Sequence, residues 1–237
     1  MEASQRAPVR GPTFIRLLAR LTDIDVPPPQ PTPSDRLSQW IDWTRAVALS
    51  RALDGKLPVR DATGATFGNE EDAACARTRA ALTNTIASGS PLVNPGPPGE
   101  VSDASAAVDY IAFHQHYLAM QRAMQTATGK LRGQLRDRLA GASAEMARLA
   151  EVDAMMEGVL SPREHKLLAA VPTLLGAHFE RLRQMAQHNA PAAWLEAFRR
   201  DMQGVLLAEL DARFLPIEGL LAALRNYPQG CHVQTLA

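Results

Sequence analysis

Residues Lys130 to Leu160 read KLRGQLRDRLAGASAEMARLAEVDAMMEGVL, and the class of fold turns on this stretch. Leu131, Leu135, Ala142, Leu149, Val152, Met156 and Val159 recur at steps that sum to three, four or seven residues. That is the period of an α-helix carrying a coiled-coil-like apolar seam. No proline interrupts residues 103–157. If unbroken, such a length at about 1.5 Å per residue makes a helix of about 80 Å. Gly129, Gly133 and Gly141 each cost roughly 1 kcal/mol relative to alanine, so a kink or interruption is expected among them.

Immediately downstream, Ser161-Pro162-Arg163-Glu164 has the pattern of a helix start, with Ser at the N-cap, Pro at the first helical position and Glu at the third. The expected helix restarts there and folds back antiparallel on its predecessor, with Leu167, Leu168, Val171, Leu174, Leu175, His178, Leu182 and Met185 on its apolar face. Pro172 falls inside this pattern and should kink it. A last helix is predicted from Pro191, with Leu195, Phe198, Met202, Val205, Leu206, Leu210 and Phe214 as its stripe. Pro216 should bend or end it, leaving a short apolar tail from Ile217 to Leu224 and a turn at Pro228-Gln229-Gly230.

Upstream the pattern is shorter and more broken. Pro12 opens an amphipathic segment in which Phe14, Leu17, Leu18 and Leu21 share one side, and Arg16 and Arg20 the other. The prolines between Asp25 and Pro33 hold an extended, semi-rigid spacer. Ser34 is the expected N-cap of a second helix carrying Leu37, Trp40, Ile41, Thr44, Val47 and Ala48. Gly55 to Asn69 reads as a loop. Asn69, followed by Glu70, Glu71 and Asp72, should cap a third helix reaching about Ala87, because negative charge is favoured at a helix N-terminus. Ser88 to Ser102, rich in Pro and Gly, reads as a flexible excursion. The expectation is an all-α chain in three parts: residues 1–54, N-terminal helices with a Pro-rich linker; 55–102, loop, short helix and flexible segment; and 103–237, an elongated bundle with a long antiparallel helical hairpin and a C-terminal helix.

Composition agrees with helices. The chain has 237 residues, 46% hydrophobic and 5% aromatic, so its core rests on Leu, Ala, Val and Met. With 25 Lys+Arg against 25 Asp+Glu it has no global field to draw it to nucleic acid or anionic lipid. The cysteines, Cys75 and Cys231, belong to no metal-ligand spacing. No secretory signal pattern and no apolar run of membrane-spanning length is present, and a cytoplasmic location is expected.

Reactive constellations are missing from the sequence. The rings of His114 and His116 point apart on a helix, whereas helical ligand pairs need three- or four-residue spacing. Glu164-His165 lacks the Glu-x-x-His spacing of di-iron bundles. His178 lies on an apolar face, where a core histidine is expected. Nucleophile elbow, phosphate loop and dinucleotide turn are all absent. No catalytic residue, cofactor or metal is therefore expected. Six positive side chains, Arg122, Lys130, Arg132, Arg136, Arg138 and Arg148, are met in the same stretch only by Asp137 and Glu145. Such a stripe could grip phosphates or be a solvated helix face; no aromatic stacking residue accompanies it. Methionines such as Met124, Met156 and Met202 fit a core or an adaptable groove.

The stretches GPTFIRLLARLTD at 11–23, SDRLSQWIDWT at 34–44 and AVALS at 46–50 resemble an uncharacterised proteobacterial family, a domain of unknown function. The resemblance implies an accessory role beside a membrane-envelope complex and carries over no catalytic residue. Together these readings lead to a helical interaction or adaptor protein that self-associates or docks a partner through its long helices, with Trp40, Trp43, Arg16 and Arg20 as candidate contacts. Nucleic-acid association through Arg122, Lys130, Arg132, Arg136 and Arg138 is the alternative.

Overall fold

A computed structural model describes residues 13–22, 32–54, 69–89, 108–189 and 193–226. Among these residues there are eight helices and no strand: α1 (Thr13–Thr22), α2 (Pro33–Trp40), α3 (Trp43–Asp54), α4 (Asn69–Ser88), α5 (Tyr110–Ala142), α6 (Ala144–Leu168), α7 (Val171–Asn189) and α8 (Ala193–Asn226). The protein is all-α. Most of the spacer at 25–33, of the loop at 55–69 and of the excursion at 88–102, with Pro191, the 228–230 turn and Cys231, lies outside the described residues.

The chain forms two compact units interleaved along the sequence. One comprises Met1–Gln30, Leu82–Met124 and Leu167–Ala212; the other comprises Pro31–Ala81, Gln125–Lys166 and Arg213–Ala237. In the first, α1 packs against α7, and Phe113, Phe179 and Phe198 from α5, α7 and α8 are fully buried. Their rings meet edge to face: Phe179 and Phe198 have centroids 5.0 Å apart at 85°, and Phe113 and Phe198 are 5.2 Å apart at 84°. This arrangement sets the positive edge of one ring against the negative face of the next. Tyr110 lies along the first turns of α7, its hydroxyl donating to the Pro172 carbonyl. A Cβ on Gly176 would stand 2.9 Å from the Tyr110 ring, so only glycine admits this approach.

In the second unit, Leu131, Leu135 and Leu139 from α5 are buried at four-residue intervals, and Phe214, Ile217, Leu221 and Leu224 from α8 at intervals of three and four. Ion pairs join its helices. Arg132 binds Asp153 through two bonds of 2.8 and 2.6 Å, and Arg136 reaches Glu157 at 2.5 Å. Residues 21 apart on one continuous helix would be separated by about 32 Å, so the chain reverses between them. It does so at Ser143, whose Oγ accepts from the Met146 amide at 3.2 Å and whose carbonyl accepts from Ala147 at 2.8 Å. The long helix expected over 103–157 is thus interrupted two residues after Gly141.

Four further boundaries differ from the sequence reading. α6 runs through Ser161 and Pro162 without restarting, so the expected reversal at that point does not occur. Pro162 cannot donate to the carbonyl four residues back, at Gly158, and Arg45 Nη2 takes that acceptor at 3.4 Å. The break comes instead at Ala169 and Ala170, which places Pro172 in the first turn of α7, where its missing N–H costs nothing. The carbonyl that Pro172 leaves open, Leu168, accepts from Gln121 Nε2 at 3.1 Å. Pro216 does not end α8, which continues to Asn226. Burying Ile217, Leu220, Leu221 and Leu224 at roughly 1.5–3 kcal/mol each outweighs the roughly 3 kcal/mol cost of an interior proline. The cap expected at Ser34 is Thr32, whose Oγ1 accepts from the Asp35 amide at 3.2 Å while Asp35 Oδ2 accepts from the Thr32 amide at 3.1 Å. The single helix expected beyond it is two, α2 and α3.

Candidate functional site

The junction between α2 and α3 carries the most exposed large apolar side chain that the sequence nominates. Ile41 is extended (φ −86°, ψ 106°) and closes α2 by donating from its amide to the Leu37 carbonyl. Asp42 then caps α3: its Oδ1 accepts from the Arg45 amide at 2.8 Å, and its Oδ2 pairs with Arg45 Nη1 at 3.0 Å. This two-residue break turns Trp40 and Trp43 to different environments. Trp40 is half-buried beneath the Arg163 guanidinium, 4.9 Å from the ring centroid. Trp43 is 83% exposed.

The anchor for the junction is the irregular turn of α6. Pro162 frees the Gly158 carbonyl, and Arg45 from the Asp42 cap reaches it. One residue beyond Pro162, Arg163 donates to the Val159 carbonyl at 2.9 Å while covering Trp40. A planar guanidinium can bond at its edge and stack on its face at once. Trp43 therefore projects from a framed base. Arg16 and Arg20 belong to the other unit, on α1; both are exposed, and Arg16 Nη2 donates to Thr13 Oγ1 at 3.1 Å.

The basic stripe is divided by tertiary contacts. Arg132 and Arg136 share the Asp153 and Glu157 carboxylates, and Arg138 bonds Glu71 at 2.6 Å with Glu70 at 3.8 Å. Both Asp153 and Glu157 lie beyond the stretch whose charges were balanced from sequence. Any phosphate on Arg132, Arg136 or Arg138 would have to displace a carboxylate. Arg122 and Lys130 are exposed.

Sequence reasoning missed two buried polar networks in the first unit. Glu209, fully buried, accepts from Tyr117 at 2.8 Å and from Gln121 at 3.1 Å. His178, 7% exposed, has Asp201 Oδ2 at 2.8 Å from Nε2 and Arg181 Nη2 at 3.0 Å from Nδ1. Both ring nitrogens are thus engaged by protein side chains. The available signal was a histidine on an apolar stripe; its partner lies 23 residues away on another helix. His114 packs edge to face on Tyr110, and burial pulls the His116 imidazole below its ordinary pKa. Burial, with the Asp72 carboxylate nearby, pushes the Cys75 thiol up. Among the described residues no group of three His, Cys, Asp or Glu could hold a metal ion, and no helix is long and apolar enough to cross a membrane.

A family model described as Protein of unknown function (DUF3348) matches residues 1–226, and the chain belongs to that family. No curated protein and no solved structure matches it.

Proposed function

We propose that this member of a family of unknown function is a non-enzymatic helical interaction protein whose partner contact is the Trp40–Trp43 junction. The observation that carries the reading is Trp43, 83% exposed beside a Trp40 held under Arg163. An indole in water on an anchored base offers a large apolar area with little side-chain entropy left to lose, which is what an interface anchor needs. Ion pairing of Arg132, Arg136 and Arg138 with carboxylates of the same unit favours this reading over phosphate binding. A cytoplasmic setting suits the buried free thiol of Cys75. Leu131, Leu135 and Val159 of the seam are buried within the unit, so the reading rests on the junction and not on a coiled coil; the adaptor role it suits is one beside a membrane-envelope complex.

The test is a photo-activated cross-linking amino acid at position 43 of the full chain, expressed in its native host. A protein adduct that disappears when Arg163→Ala frees Trp40 is expected. Absence of any protein adduct at position 43 removes the reading. Trp43→Ala should change folding stability by no more than about 0.5 kcal/mol, as for other exposed positions, while abolishing recovery of the cross-linked partner by affinity capture.

A further inference from the structure

Four groups from three helices meet where α1 ends. Arg181 on α7 donates to the carbonyl of Leu21, one of the carbonyls in the last turn of α1 that have no partner within the helix. A guanidinium there also complements the negative end of the helix dipole. The same Nη2 lies 3.0 Å from His178 Nδ1, and His178 Nε2 lies 2.8 Å from Asp201 Oδ2 on α8.

A guanidinium has only donors to offer. The contact with Arg181 therefore requires a lone pair on Nδ1. The single ring proton then sits on Nε2, where the Asp201 carboxylate accepts it. This geometry defines one tautomer of a neutral ring.

We propose that His178 is the proton-sensing element of a latch that holds α1 on α7. With the ring neutral, Nδ1 orients Arg181 to cap α1 at Leu21. A proton arriving on Nδ1 replaces the acceptor with a donor facing a donor and sets two positive charges against each other, so Arg181 turns away and α1 is released. Asp201 keeps its bond to Nε2 in both states, so the change is felt at Nδ1 alone.

The surroundings leave this exchange in control. From α8 the facing charge is Asp201; on α7 itself it is Arg181, while Glu180 pairs with Arg183 at 2.7 Å. α1 brings Arg16 and Arg20, both exposed. From α5, Tyr110 contacts the neighbouring Phe179 ring, and burial pushes its phenol up to about 12, so it stays neutral. Release bares Phe14, Ala19 and Leu21, the buried residues of α1. The latch is independent of the Trp43 contact.

The sign follows from the tautomer: α1 is docked when His178 is neutral and loosens as pH falls. One proton taken up per release gives a limit of about tenfold per pH unit. In the full chain, nitrogen-15 resonances of the His178 ring and amide hydrogen exchange of α1, corrected for intrinsic rates, read the two halves of the proposal. At pH 8 the proton should be on Nε2. Over the pH range in which the ring signals report a proton arriving on Nδ1, α1 protection should fall at least tenfold while the α5 amides from Phe113 to Met124 stay within about twofold.

Arg181→Met should show the loosened α1 already at pH 8 and no further change on acidification. Asp201→Asn keeps an acceptor for Nε2–H but removes the countercharge of the protonated ring, and should move release to lower pH. A proton on Nδ1 at pH 8, an α1 indifferent to pH, parallel loss in α5, or persisting pH dependence in Arg181→Met would each overturn the latch.

Discussion

The unit containing Phe113, Phe179 and Phe198 is joined across its helices by interlocked aromatic rings, and the unit containing Arg132, Arg136, Asp153 and Glu157 is joined by charge-assisted bonds. Rings stabilise through buried area and close packing, so their contribution is local, large and nearly indifferent to salt. Guanidinium and carboxylate pairs gain Coulomb energy but lose hydration, so intact they contribute little net stability while fixing which helix faces which. In the ion-paired unit Arg79 with Glu218, Arg225 with Asp72 and Arg213 with Glu164 continue the pattern. In the aromatic unit the buried polar groups bond at defined atoms, as Tyr117 and Gln121 do on Glu209. The difference predicts different responses to truncation.

The largest effect is expected at Phe198, which touches both Phe113 and Phe179. Phe198→Ala should cost about 3–5 kcal/mol by denaturant unfolding, and a loss below about 1 kcal/mol would mean that the ring cluster does not join its unit. Next comes Asp153→Ala, which leaves Arg132 and Arg136 with Glu157 alone. Asp153 is 13% exposed, so the cost should be about 2 kcal/mol, below the roughly 3–5 kcal/mol of breaking a fully buried pair. Exchange protection in α6 should drop while that of the aromatic unit holds.

A gain of about 1 kcal/mol is expected from Pro162→Ala, because the new amide can donate to the Gly158 carbonyl. The gain is smaller than the usual proline cost because Arg45 already occupies that acceptor. Destabilisation in thermal unfolding would instead show that the irregular turn is needed to hold Arg163 over Trp40.

The last effect concerns Tyr110 and is confined to alkaline pH. Burial raises its phenol from 10 to about 12, so its contribution is fully present below pH 10, where it is neutral folded or unfolded, and declines between pH 10 and about 12 as the unfolded form ionises first. Tyr110→Phe should flatten that part of the stability profile. In an alkaline absorbance titration, Tyr110→Phe should remove a component that ionises at about pH 12.

Helices whose ends are set by local chemistry were legible. α1 matches the Phe14–Leu21 stripe, and α4 begins at Asn69 with its three acids and ends one residue beyond Ala87. Proline was over-read. At Pro162 and Pro216 the local rule says stop, yet α6 continues because Arg45 from elsewhere supplies the missing donor, and α8 because four buried apolar residues follow. The first compensation comes from a residue more than a hundred positions away, and the second from neighbours that read, by sequence alone, as a separate apolar tail. At the candidate site, Trp40 and Trp43 could be nominated from residue type; that one lies under Arg163 and the other in water depends on the two-residue break and on a helix more than a hundred residues downstream.

Sequence periodicity by itself determined that the chain is helical, where most apolar faces lie, and that no familiar reactive constellation is present, because side-chain spacing and backbone propensity act over a few residues. Only the tertiary structure decided which carboxylates meet Arg132 and Arg136, which side chains flank the two ring nitrogens of His178, and which prolines a helix can absorb. Those outcomes depend on donors and acceptors brought together by the reversal at Ser143 and by the packing of α1, α7 and α8, and their sequence separation hides them from any local rule.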